Sequence, residues 1–332
     1  MASPYHTHGA GRLALLRLRG RDQFATLDGA NLFLISYLEQ LIGSVETRSG
    51  EVLDDAPEWI SHAFAPPRPI VSHALLMHSI SGFLKELKDT LGKEIIDHGE
   101  LLELFRRGIE IDSMASDLHQ IFTHGRFQEL HRFYQSMDTW RKRTSSTSCT
   151  NVSSDPSMPE SYMDHRLNTS SMDFDTETTD SMDELTIFLI SVTTATMGNM
   201  CRAVRIHLIH DLLAAIPHLH ATSAVSLAGI DLEHCRDRWN SVVALSAAEI
   251  YENIPYAFGE CDATGKKPAI PVTGMIYRAY LSLWPIRTAL NAPQTPTKYK
   301  QLLAAKLMHM SDVMGIGMAS EVLADAERSA ID

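Results

Sequence analysis

His207 and His210 stand three residues apart with Asp211 beside them, a spacing that turns both imidazoles to one side of a helix and could offer them to a metal ion. Two imidazoles do not make a site, and nothing in the sequence brings a third ligand to them. His218 and His220, at i and i+2, suit an extended segment, and His6 and His8 lie close to the first residue. The expectation is that no metal is held here. Cys235 follows His234 directly, but adjacent residues leave a helix in different directions, so they do not pair as nucleophile and base. No G-x-S-x-G elbow occurs. The glycines of "GIGMAS" (315–320) follow no strand and lack the third glycine of a dinucleotide turn. They suit a tight joint instead, Gly315 closing one helix and Gly317 opening the next. Arg205, His207 and His210 would be the natural lining of a small-molecule pocket if there were one. No catalytic set and no cofactor motif emerges, and the chain is not expected to be an enzyme.

The elements that carry these residues are helices. No alternating run of β-branched residues bounded by hairpin turns is found, whereas apolar residues recur at three- and four-residue steps through most of the chain. "RLALLRLRG" is a first amphipathic stretch, and "LFLISYLEQLIG" (32–43) follows, with Asp28 as its cap. The short "PEWISHAF" leads to a Pro-rich joint, "APPRP" (65–69). Helical spacing resumes over 70–91, 99–123 and 126–143, the last with Leu130, Phe133, Tyr134 and Met137 on one face. A long helix is predicted from about Asp183 to Ile216, stopped by Pro217. Further helices are expected over 236–254, closed by Pro255, then 271–290, 296–315 and a last one in "MASEVLADAERSA". The fold class is all-α: a single helical domain of roughly ten antiparallel-packed helices, in two halves, 1–143 and 183–332. Between them, 144–182 is dominated by Ser, Thr and Asp and holds few large aliphatics. It cannot bury enough apolar surface to offset its ordering entropy, so it is expected to be a disordered, mobile insertion.

The totals narrow the function classes. A hydrophobic share of 44% over 332 residues supports a substantial core. The net charge of −12 argues against a nucleic-acid surface spread over the chain. Four cysteines without short regular spacing read as free thiols in a reducing compartment. No stretch reaches the ~18–20 apolar residues of a membrane span. Residues 1–21 carry four arginines and no acid, as mitochondrial presequences do, but an amphipathic helix with a solvated face accounts for them better. Arg141-Lys142-Arg143 has the composition of a nuclear import signal without its specificity.

Trp284-Pro285, in "AYLSLWPIRTA" (279–289), is unusual in mid-helix. A proline there removes one backbone donor and kinks the helix, and the tryptophan would fill the gap so made. This stretch is one of five that look familiar in order and rough spacing over about residues 6–326. "HTHGAGRLALLRLRGRDQF" resembles the H-x-x-GA-x-x-LLRLRG-x-x-QF segment of fungal zinc-cluster transcription factors. "GNMCRAVRIHLIHDLL" is similar to their W-N-x-x-R-A-A-R-I-L-L-H-x-x-L-L helix, with Arg202, Arg205 and His210 at matching places, Met200 for an aromatic and Val204 for the second alanine. "EIYENIPYAFGE" resembles D-I-C-A-S-V-P-F-x-L-G, and "AYLSLWPIRTA" resembles G-Y-x-L-L-W-P-L-x-V-A. "LMHMSDVMGIGMASEVLADA" is similar to the terminal L-x-x-I-G-x-x-M-G-I-x-Q-A-x-x-L-A, with Met318 where glutamine is usual.

The resemblance implies the helical regulatory domain of such a factor. It implies a nuclear location, with the cytoplasm as alternative, and action through protein partners, homodimerisation or a small-molecule effector, in a secondary-metabolite gene cluster. The six-cysteine module that holds zinc and reads DNA in that family is not in this sequence. Zinc and direct DNA binding are therefore not carried over, and no membrane role is expected. Arg202, Arg205, His207, His210 and Trp284 are nominated for a pocket or a partner contact. Two other readings stand beside this one: a truncated or decayed fragment without independent function, and a small-molecule-binding helical protein or enzyme.

Overall fold

The computed structural model describes residues 9–64, 68–124, 126–148, 184–220, 230–261, 266–267 and 275–329. Among them there are twelve α-helices and no strand, so the chain is all-α. In chain order they are α1 (Gly9–Arg19), α2 (Leu27–Thr47), α3 (Ala56–Ala63), α4 (Pro69–Leu91), α5 (His98–Thr123) and α6 (Leu130–Ser148). Then follow α7 (Glu184–His220), α8 (Leu232–Glu252), α9 (Ile254–Phe258), α10 (Met275–Asn291), α11 (Thr297–Asp312) and α12 (Gly317–Ser329). No described helix is long and apolar enough to cross a membrane.

The chain forms two compact units, each assembled from separated stretches: Met1–Ser81 with Gln128–Ser181, and Gly82–Phe127 with Met182–Asp332. This division does not follow the halves 1–143 and 183–332, because α5 and the last part of α4 belong with α7. Residues 149–182 of the expected insertion lie outside the described residues. Its first residues, Thr144 to Ser148, extend α6 instead. The Thr144 hydroxyl donates to the Trp140 carbonyl at 3.1 Å, the local bond by which a polar side chain stays within a helix.

Local chemistry sets most helix ends. Thr26, rather than Asp28, caps α2 by accepting from the Gly29 amide at 3.1 Å. Asp97 caps α5 through the Gly99 and Glu100 amides. Asp231 accepts from the His234 amide at 2.9 Å, so α8 starts at Leu232 rather than at Arg236. Pro217 does not stop α7, which runs on to His220. Pro217 faces solvent, where the carbonyl it leaves without a partner can be hydrated, while Leu219 beyond it is buried and holds the last turn in place. Pro255 falls in the first turn of α9, where its missing donor is not needed. Gly315 takes φ +71° after α11, and Gly317 is the first residue of α12.

In the first unit, Phe33 of α2 lies 4.8 Å from Phe24 and 5.4 Å from Tyr37, ring centre to ring centre. Phe33, Tyr37, Leu41, Ile60, Leu75 and Leu76 are fully buried around them. Two polar pairs cross this core, Tyr37 to His78 Nδ1 at 2.7 Å and Ser44 to Ser81 at 2.6 Å.

The second unit is built around α7, against which α5, α8, α9 and α10 pack. Gly108 permits the approach of α5: a Cβ there would stand 2.4 Å from Leu212 Cδ2 of α7 and 2.9 Å from Phe83 Cζ of α4. Gly108→Ala is expected to destabilise the protein by about 1–3 kcal/mol, since overpacking outweighs the better helix propensity. Gly82→Ala is the control, because nothing lies within 4 Å of its added methyl. It should stabilise by up to about 1 kcal/mol. Urea unfolding of both variants decides it; equal shifts would mean that α5 and α7 are not in close contact at Gly108.

Candidate functional site

Four of the five nominated residues lie on α7, and three of them turn their polar groups to neighbouring helices. Arg205 donates from Nε to Asp112 Oδ1 of α5 at 2.6 Å. The Asp112 side chain is only 2% exposed. Its second oxygen accepts from Trp239 Nε1 of α8 at 3.1 Å and has Arg238 at 3.5 Å. One carboxylate thus gathers two guanidinium groups and an indole from two other helices. One turn earlier, Arg202 donates from Nε to Glu249 Oε2 of α8 at 2.7 Å and reaches Asn199 Oδ1 at 3.3 Å. Asn199 in turn lies 3.5 Å from the Ile250 carbonyl. His119 Nε2 of α5 sits 3.5 Å from the same Glu249 oxygen and 3.1 Å from the Thr123 hydroxyl.

The sequence placed these groups well for this arrangement. On α5, Asp112 and His119 stand seven apart in the stripe that also carries Phe105, Gly108 and Ala115. On α7, Arg202 and Arg205 stand three apart and so share a side. Burial pulls the His119 pKa down to about 3, reinforced by the positive charge of Arg202 and Arg205. The ring is therefore neutral at pH 7.

His207 faces a different neighbour. Its ring stacks on Trp284 of α10 with centroids 5.9 Å apart and planes within 8°. Its Nε2 lies 3.2 Å from the Thr288 hydroxyl, one turn further along α10. Pro285 sits inside α10, and the fully buried Trp284 beside it packs that helix onto α7. His210 is exposed and meets Asp211 at 3.1 Å. The five nominated residues therefore do not converge. Arg202 and Arg205 serve one buried polar layer, His207 and Trp284 make a separate stacked pair, and His210 looks to solvent.

Nor do the histidines among the described residues assemble a metal centre. His207 and His210 address different groups, and no set of three or more His, Cys, Asp or Glu side chains among the described residues could hold an ion. Cys201 is wholly buried on α7, which pushes its thiol pKa far up and leaves it without thiolate character. Two surface grooves, one along α6 at Arg132, Trp140 and Arg143 and one at Arg17, Asp54 and Trp59, are lined by none of the five.

The polar layer ties α5, α7 and α8 together through charge-assisted bonds at two points, Asp112 and Glu249. Sequence reasoning singled out Arg202 and Arg205 but missed Asp112, His119, Trp239 and Glu249. One signal was available: Asp112 falls among Leu104, Phe105, Ile111 and Ala115, where an acid has no place unless a cation answers it.

Compared with protein-family models, with curated proteins and with solved structures, this chain matches none.

Two predictions test the layer. Arg205→Ala should cost about 3–5 kcal/mol by removing the buried cation from Asp112, whose other cation, Arg238, is half exposed, against about 0.3–0.5 kcal/mol for removing the exposed Lys85–Asp89 pair. Equal losses in urea unfolding would contradict the burial. His119 also carries a sign in pH. Its folded pKa lies below the ordinary value of 6.5, so the unfolded chain takes up the proton first. Stability should therefore fall as pH drops from about 6.5 towards 3, and His119→Gln should flatten that slope. Melting curves across the interval measure it, and an unchanged slope in the variant would remove His119 from the account.

Proposed function

We propose that the chain is the regulatory, effector domain of a fungal zinc-cluster-type transcription regulator, acting through protein partners or dimerisation. One observation carries this reading: five segments resemble that domain in the same order over about residues 6–326. The structural setting of those segments supports it. The arginines that α7 shares with the resemblance are committed to carboxylates on α5 and α8, and the Trp-Pro segment packs α10 onto α7. A scaffold of this kind offers surfaces rather than a reaction centre. His210 is the nominated residue left facing solvent for a partner.

On this reading the chain works in the nucleus. It binds no DNA itself, holds no zinc and modulates expression through what it recruits, in a secondary-metabolite gene cluster. A small-molecule effector would have to bind elsewhere than at Arg202 and Arg205, whose charges are already matched inside the protein.

The test is a tethering assay. Residues 1–332, fused to a heterologous DNA-binding module in a fungal host, should change reporter output several-fold in either direction. An unchanged reporter, with the fusion soluble, monodisperse and nuclear, would overturn the proposal.

A further inference from the structure

The anchoring stripe of α6 ends before the helix does. Leu130, Phe133, Met137 and Trp140 are buried along one face. Beyond Trp140 the packing loosens: Arg141 and Thr144 are half-buried, and Lys142 and Arg143 are exposed. The chain there reads Arg141-Lys142-Arg143-Thr144-Ser145-Ser146-Thr147-Ser148, a basic triplet and then an unbroken run of hydroxyl residues. Serine and threonine are poorer helix formers than alanine, and the last turn of α6 carries no basic residue to answer the negative end of the helix dipole. The contacts made there are local. The Thr144 hydroxyl donates to the Trp140 and Arg141 carbonyls at 3.1 and 3.0 Å, and Lys142 pairs with Asp138 at 2.7 Å while its own side chain stays 77% exposed. An ion pair so open to water adds little. The end of α6 thus belongs to the class of helix terminus that opens at low cost.

The spacing of cations and hydroxyls suits one chemistry. A protein kinase with an acidic substrate groove pairs its carboxylates with guanidinium or ammonium groups two and three places before the acceptor, which sets the hydroxyl against ATP. Each of the first three hydroxyls meets that spacing. Thr144 stands three places after Arg141 and two after Lys142. Ser145 stands three after Lys142 and two after Arg143, and Ser146 three after Arg143. Such a kinase takes its acceptor in an extended conformation, which the opening of the last turns supplies. A basic triplet alone is commonplace; the hydroxyl run directly behind it, where the buried stripe has ended, gives it a use.

We infer that Thr144–Ser146 is a phosphorylation site for a basic-directed protein kinase, and that the phosphate keeps the end of α6 open. The acceptor oxygen attacks the γ-phosphorus of ATP. A new O–P bond forms as the bond from that phosphorus to the β–γ bridging oxygen breaks, its electron pair leaves on ADP, and the hydroxyl proton passes to the base of the kinase. The product carries a charge of about −1.5 to −2 at pH 7. It meets the negative end of the helix dipole and follows its cations in sequence, the weaker order for an ion pair on a helix. At Thr144 the esterified oxygen can no longer donate to either carbonyl. The inference does not depend on the family reading. A kinase assay counts phosphate and the tethering assay reads reporter output, so either can fail alone.

The experiment gives the full chain ATP and the catalytic subunit of cyclic-AMP-dependent protein kinase as the probe, and locates phosphate by peptide mass spectrometry. Phosphate should appear within residues 144–146. Lys142→Gln with Arg143→Gln should slow its appearance by about tenfold or more. Both positions are exposed, so the fold should survive, and melting temperatures check that. A kinase that requires acids after its acceptor should leave the run unmodified. On phosphorylation, amide hydrogen exchange at the end of α6 should quicken by about tenfold. Absence of phosphate from 144–146, or its arrival at the same rate in the double variant, would overturn the site. So would modification that occurs only in the heat-unfolded chain, because α6 would then be holding the run out of reach. Unchanged exchange in the phosphorylated protein would overturn the opening of the helix end.

Discussion

Asp112 is a carboxylate with almost no water around it, so its charge has to be answered where it stands. Arg205 answers it from α7, Trp239 and Arg238 answer it from α8, and the three helices are thereby tied at one point. A turn away, Glu249 performs the same task for Arg202 with His119 in attendance. Apolar side chains of equal volume could hold these helices as firmly, but they are indifferent to rotation and register. Charge-assisted bonds at 2.6 and 2.7 Å are not. The close approach of α5 and α7 at Gly108 lies on the same side of α5 as Asp112, one turn away.

The histidines show how burial redirects chemistry that composition seems to offer. Sixteen of them in one chain suggest metal or acid–base work. Three are placed where charge is unwelcome: burial lowers His73 and His119 to about 3 and His78 to about 4. Each is a neutral polar group at pH 7, and His78 and His119 are used for their hydrogen bonds, to Tyr37 and Thr123. His207 contributes a flat face to Trp284 as much as it contributes a nitrogen to Thr288.

Helical periodicity was legible because each amphipathic stripe is local, and α2, α4, α5 and α11 fall close to where the spacing of Leu, Ile, Phe and Met puts them. Ends were less legible where two signals compete. Pro217 reads as a stop, yet the burial of Leu219 outweighs one missing bond, and Thr26 takes the capping role that Asp28 could have filled. The polar layer was half visible. Arg202 and Arg205 stand close in sequence, but their carboxylates are distant: Asp112 is 93 residues from Arg205 and Glu249 is 47 from Arg202. Pairing across such distances leaves no periodic trace. An acid inside an apolar stripe is its only local mark. The same holds for the division into units, which depends on α5 meeting a helix that the chain reaches much later.

That separation has a consequence in time. A ribosome releases α5 well before α7, and at about 5–20 residues per second Asp112 waits roughly 5–20 s for Arg205. It waits longer still for Trp239, 127 residues on. Through that interval Leu104, Phe105 and Ile111 lack the cover of α7 and α8, and the carboxylate in their midst is answered by water alone. The acid that ends up buried among three helices is thus first a hydrated group on a half-made chain.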